Sequence, residues 1–161
     1  VELVHFLREK HHLPVTLKVV GQVPDALRQR MAARSVPIEW RGVVARDAIP
    51  ELDRSAHALF SADLNAACPN AVIEALACGL PVLGFDTGAL KELVSDAAGR
   101  ITPYGGDVWK LDPPDVEGLA DAAVDVLKHN PAFRRQARKL AEQRFNLQEM
   151  LDRYCKTWES L

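Results

Sequence analysis

One carboxylate interrupts a short apolar helix near the middle of the chain, and its distance from the helix start suits anion and hydroxyl chemistry. Residues 69–78, Pro-Asn-Ala-Val-Ile-Glu-Ala-Leu-Ala-Cys, are apolar except at Asn70 and Glu74. Proline needs no N–H partner in a first helical turn and asparagine favours helix starts, so the helix opens at 69–70. The N–H groups of Asn70, Ala71 and Val72 then lack helical partners, and with the partial positive charge of the helix end they offer an anion site. Glu74 follows one turn later, on the same face as Asn70. A carboxylate there does not favour phosphate, but it accepts two hydroxyl hydrogen bonds, as a ribose diol would offer. The alternative is an acid placed only for the helix dipole. The apolar surroundings favour the ligand, because a Glu on a buried helix is rarely left without a partner.

Neighbouring elements must hold this helix. Gly79 predicts a left-handed stop, with Pro81 unable to continue the helix. Residues 81–85 predict a buried strand, and Asp86-Thr87-Gly88 turns into a second short helix at 89–94. Four further strands are expected near 16–20, 37–41, 57–61 and 99–102. Helices are expected at 1–10, 24–33 and 48–55, the last capped by Asp47. From Asp115 the chain reads as helical, with Val116, Leu119, Ala120, Ala123 and Leu127 on one stripe. Asn130-Pro131 caps the next helix. Asn146 with Glu149 resembles a capping box for the terminal helix at 146–161, whose stripe is Leu147, Met150, Leu151, Tyr154 and Trp158. Strands alternating with helices predict an α/β fold with a doubly wound parallel sheet. Ligands in such sheets lie at the carboxyl ends of the strands, where the loops at Gly21, 42–47, 63–70 and 86–89 converge.

Composition narrows the function. The 161 residues allow one domain spanning 1–161, and a net charge of −2 leaves no electrostatic footprint for nucleic acid. No run of about 18 apolar residues is present to span a membrane. Three cysteines, Cys68, Cys78 and Cys155, cannot all pair, which suits a reducing, cytoplasmic setting. Arg134, Arg135, Arg138 and Lys139 form a basic flank that would suit peripheral contact with anionic lipid, but Glu142 interrupts it and a solvated face is the simpler reading. His11-His12 reads as a solvated turn, and His57 as a core-edge histidine.

The central stretch resembles the donor-binding segment of retaining glycosyltransferases with the GT-B fold, the group 1 (family 4-like) enzymes. These carry Glu-x7-Glu, then Ala-x-Ala-x-Gly-x-Pro-Val, then a Gly-Gly-x-x-Glu turn. Here the corresponding runs are Glu74-Ala75-Leu76-Ala77-Cys78-Gly79-Leu80-Pro81-Val82 and Gly88-Ala89-Leu90-Lys91-Glu92. The resemblance implies a Rossmann-like domain that binds a nucleoside-diphosphate sugar. Glu74 would hold the ribose, and Asn70, Ala71 and Val72 the diphosphate. Gly88, Ala89, Gly21 and Val44, the last in the base-binding loop, complete the expected donor set. No metal or other cofactor is implied, since helix dipoles and basic residues hold the diphosphate.

Two positions depart from the pattern. The family's first Glu, which contacts the sugar, falls at Ala66, with Asp63 and Asn65 as the nearest polar substitutes. The second glycine of the pair is Ala89. In the family, a strand ending in an Arg and a Lys precedes the helix at Val1, and an acceptor-binding N-terminal domain precedes that strand. The resemblance therefore implies the donor half of a two-domain hexosyltransferase, with no catalytic residue of its own and inactive in isolation. A non-catalytic nucleotide-sugar-binding or docking domain is the alternative, and Ala66 favours it.

Overall fold

The structure, a computed structural model, describes residues 1–160. Among the described residues five strands alternate with eight α-helices. The strands are β1 (Leu17–Val20), β2 (Ile38–Gly42), β3 (Leu59–Phe60), β4 (Val82–Phe85) and β5 (Gly99–Thr102). The helices are α1 (Glu2–Glu9), α2 (Asp25–Ala32), α3 (Ile49–Ser55), α4 (Asn70–Ala77), α5 (Leu90–Leu93), α6 (Val116–Lys128), α7 (Asn130–Arg144) and α8 (Leu147–Glu159). All strand pairs are parallel, and they form two sheets, β1-β2 and β3-β4-β5, the arrangement a doubly wound sheet lacking its first, central strand would have. The pairing edge between β1 and β3 is missing.

Strand β4 carries the core because it is buried along its whole length. Its alternate residues point to opposite faces, so they serve different helices. Leu83 and Phe85 pack with Leu3 and Leu7 of α1 and with Leu119, Ala120 and Ala123 of α6. Val82 packs on the other face with Val72 and Leu76 of α4, Leu90 of α5, and Ala137 and Ala141 of α7. Small residues on α7 let it lie close to α4. Ion pairs from Lys10 to Glu117 and Asp121, each 2.8 Å, and from His11 to Asp121, 2.7 Å, tie the end of α1 to α6. His11 is thus held by a carboxylate and is not a freely solvated turn residue.

Several terminal signals act as expected. Asp115 accepts from Gly118 N at 2.9 Å, and Asn146 accepts from Gln148 N and Glu149 N. Glu149 does not complete a capping box; its side chain turns to Arg153. Asp47 makes no cap either, since it lies inside a 3-10 turn, Arg46–Ala48, that runs into α3. Asn130 is the first residue of α7, and its side chain donates to the His57 carbonyl at 2.7 Å. That bond pins the entry to β3. His57 itself is exposed, because β3 shrinks to two residues with a partner on one side only.

The basic flank of α7 has a structural use. Arg134 donates to the carbonyls of Ala56 and Arg54 at the end of α3, Arg138 to Ala77 at the end of α4, and Arg144 to Glu92 in α5. Guanidinium groups at helix C-termini satisfy orphan carbonyls and complement the dipole. Arg134 and Arg138 therefore face neighbouring helices instead of a lipid surface. No helix among the described residues is long and apolar enough to cross a membrane.

Candidate functional site

The start of α4 supplies two backbone donors. Pro69 precedes it in an extended conformation, φ −72° and ψ 105°, and no side chain caps it. Asn70 lies inside the helix and does not act as its cap. Val72 N donates to the Pro69 carbonyl at 3.0 Å, as does Ile73 N at 3.4 Å. The expected triplet of free N–H groups is thus reduced to Asn70 and Ala71, and Val72 is buried. Neither of the two has an acceptor among the described residues. Both residues are exposed.

Glu74 shares this exposed face. The buried residues of α4 are Val72, Ala75 and Leu76, so Glu74 is not set in apolar surroundings as expected but looks into solvent. It has no ion-pair partner among the described residues. Asp53 of α3 lies nearby: burial pushes its carboxyl pKa up, and the charge of Glu74 adds to the shift. The Cys78 thiol is also pushed up, by burial first and then by Asp53. This end of the site is negative, which suits hydroxyl ligands and not phosphate.

A raised Asp53 pKa has a sign that can be tested. The folded state keeps this proton to higher pH than the unfolded chain, so ionisation costs stability as pH rises through the window above the ordinary value of 3.8. Asp53→Asn removes that cost. The variant is expected to melt above the parent at neutral pH and to lose the advantage below about pH 4. Melting curves at the two pH values check it, and equal midpoints throughout would contradict it.

The glycine turn holds the loop that leads into α4. Gly88 adopts φ +55°, and a Cβ there would meet Ala66 O at 2.6 Å and Ala66 N at 2.9 Å. Only glycine fits so close a backbone approach with positive φ. Ala89 N donates to Ala66 O at 3.0 Å, and Thr87 Oγ1 donates to Asp63 O at 3.4 Å. The N–H of Ala89 is therefore already engaged. Asp86 and Lys91 pair across the turn at 2.7 Å, a bond that raises the Lys91 pKa.

Gly21 and Val44 lie apart from this cluster, at the carboxyl ends of the other sheet. Gly21 N donates to Gly42 O at 2.7 Å, which joins the ends of β1 and β2. Val44 is half-buried beside the exposed Val43. The loop containing Val44 leads through the 3-10 turn into α3, which packs on α4. Among the described residues no three His, Cys, Asp or Glu side chains converge as metal ligands. The sequence offered no sign of Asp53, and it pointed to a solvated face for the arginines of α7, which instead bond the ends of neighbouring helices. The i, i+4 spacing of Arg134 and Arg138 was the available signal for the latter.

The family model described as glycosyl transferases group 1 matches residues 1–129. The chain belongs to this family. It is 27% identical over 115 residues to the 2-deoxystreptamine N-acetyl-D-glucosaminyltransferase of Streptomyces fradiae, an alignment covering 69% of the chain and 26% of that enzyme. Several solved structures share the fold. HepE of Anabaena, in complex with UDP, superposes with a TM-score of 0.74 at 22% identity over 98% of this chain and 45% of its own. The pneumococcal O-GlcNAc transferase GtfA, in complex with UDP and GlcNAc, gives 0.71 at 20% identity over 98% and 31%. A glycosyltransferase of Rickettsia africae gives 0.77 at 18% identity over 98% and 43%. The chain thus spans less than half the length of each of these proteins. Its architecture is that of part of a GT-B glycosyltransferase, Rossmann-like with parallel sheets.

Proposed function

We propose that this group 1 glycosyltransferase domain binds the nucleoside-diphosphate part of a sugar donor and serves a retaining transfer to an acceptor held by a further, acceptor-binding domain. The observation that carries the reading is the pairing, on one exposed face of α4, of two free N–H donors with an unpaired carboxylate one turn on. The N–H groups of Asn70 and Ala71 suit the diphosphate, and Glu74 suits the ribose diol. The UDP complexes of HepE and GtfA support the same ligand class. Gly88 and Ala89 serve by fixing the loop at 63–66, and Gly21 and Val44 flank the base. On this reading no metal is needed, because the helix end and basic side chains carry the diphosphate charge. Stabilising the leaving diphosphate is then the main catalytic contribution, electrostatic in kind.

Calorimetric titration of the complete protein with UDP, GDP and ADP tests the reading. Saturable binding of one of them supports it, and no binding of any would overturn it. A second reading, a binding domain without transfer, is favoured by Ala66, which offers no acid to the sugar. Transfer by the complete protein from the bound donor would exclude that reading.

A backbone role for residue 70 can be separated from a side-chain role. Asn70→Pro deletes one N–H, and the extended Pro69 is already in the conformation that a following proline requires. Asn70→Ala keeps the N–H. The proline variant is expected to bind nucleoside diphosphate more weakly than the alanine variant, by about one charge-assisted hydrogen bond, roughly tenfold or more. Equal affinities in the same titration would assign the residue a side-chain role instead.

A further inference from the structure

We propose that Arg138 is a positioning residue for this anion site, acting through α4 from its opposite end. The proposal rests on the donor-binding reading above. Helix α4 has no acidic residue in its first turn and no basic residue in its last, so it does nothing itself to complement its dipole. Its neighbours α3 and α5 have Arg54 and Lys91 in their last turns. For α4 the cation comes from α7: Arg138 Nη1 donates to the carbonyl of Ala77, the last helical residue.

Two contacts fix that geometry. Arg138 Nε donates to Glu142 Oε1 at 2.7 Å, which orients the guanidinium. Gly79, at φ +69°, seats the end of α4 against α7; a Cβ there would lie 3.2 Å from Arg134 O and 3.7 Å from the Arg138 Cβ. The helix has only eight residues, a length of about 12 Å, so the charge beside Ala77 adds to the positive potential at the Asn70 and Ala71 N–H groups. Arg138 thus supports the field along the helix at its two free N–H groups.

The test uses the complete protein and four variants: Arg138→Met, Arg138→Lys, Arg138→Gln and, as control, Lys139→Met on the exposed side of α7. UDP, GDP and ADP are titrated by calorimetry, and each parent nucleoside by NMR. Arg138→Met is expected to weaken the diphosphate about twofold, the size of one unit charge about 12 Å away in water, and to leave nucleoside affinity unchanged. Arg138→Lys should recover most of the loss, and Lys139→Met should match the parent. Added salt should shrink the difference between Arg138→Met and the parent. A folded Arg138→Met with unchanged diphosphate affinity overturns the proposal, and so does a proportional loss for nucleoside and diphosphate. If Arg138→Met does not fold, Arg138→Gln, which keeps a donor near Ala77 without the charge, must show the selective loss or the proposal fails. A parent chain that binds none of the three diphosphates removes the donor-binding reading and this proposal together; a parent that binds, with variants that bind equally, removes the proposal alone.

Discussion

Glu74→Ala is expected to weaken nucleoside-diphosphate binding by about 1.5–3 kcal/mol, the size of a lost hydrogen bond to a charged group. The carboxylate is exposed and unpaired, so its removal breaks no internal contact and the fold should survive. It also relieves Asp53, whose raised pKa owes part of its shift to Glu74. The variant should therefore be no less stable than the parent at neutral pH while binding more weakly. That combination distinguishes a ligand role from a helix-dipole role. An acid placed only for the helix would be expected nearer the first residues of α4, and its loss would lower the melting temperature without changing affinity. Titration of parent and variant with UDP, GDP and ADP, beside a thermal melt, checks both halves. Unchanged affinity for all three with an intact fold would refute the ribose assignment.

Local chemistry made much of this fold legible, and long-range packing accounts for what was not. Pro69 and Gly79 bracket α4 because each acts through its own backbone conformation. The apolar run of β4 announces a strand buried on both faces. The face on which Glu74 sits was harder to read. Alanine dilutes the helical pattern of α4, and Ala75 is buried while Ala71 is exposed, so composition does not separate the two sides. Asn130 carries a cap-forming side chain but spends it on His57, 73 residues away, which no local rule anticipates. The arginines of α7 look like a solvated stripe until the C-termini of α3, α4 and α5 are placed beside them. The site's donors depend on the same kind of detail. Whether Val72 N–H is free is decided by the 3.0 Å turn bond to Pro69, a choice between two helical geometries that sequence leaves open.

The 161-residue chain by itself is expected to be weakly stable or to self-associate, and one added strand ahead of residue 1 is expected to cure both. Strand β1 pairs only with β2, and β3 only with β4, so each presents one free edge among the described residues. Val20 and Phe60 on those strands are 41% and 36% exposed. A cleft of about 540 Å³ bordered by Val1, Leu27, Met31, Phe60, Phe85 and Val116 lies beside them. Placing one more parallel strand between β1 and β3 turns the order β2-β1 and β3-β4-β5 into the doubly wound order 3-2-1-4-5-6, whose switch point lies between the added strand and β3. It also gives α1, whose first residue borders the cleft, a strand to cross over from. Without it, several N–H and C=O groups along apolar backbone have no partner. No residue of β1 or β3 is buried, so these groups face water or a second copy of the chain, and the open edges with the uncovered Val20 and Phe60 favour self-association. About 15 added residues, one strand and its turn, suffice to span the gap. Thermal melts and light scattering on the two chains decide the matter. A 161-residue monomer that melts as cooperatively as the extended chain would show that the two sheets need no strand between them.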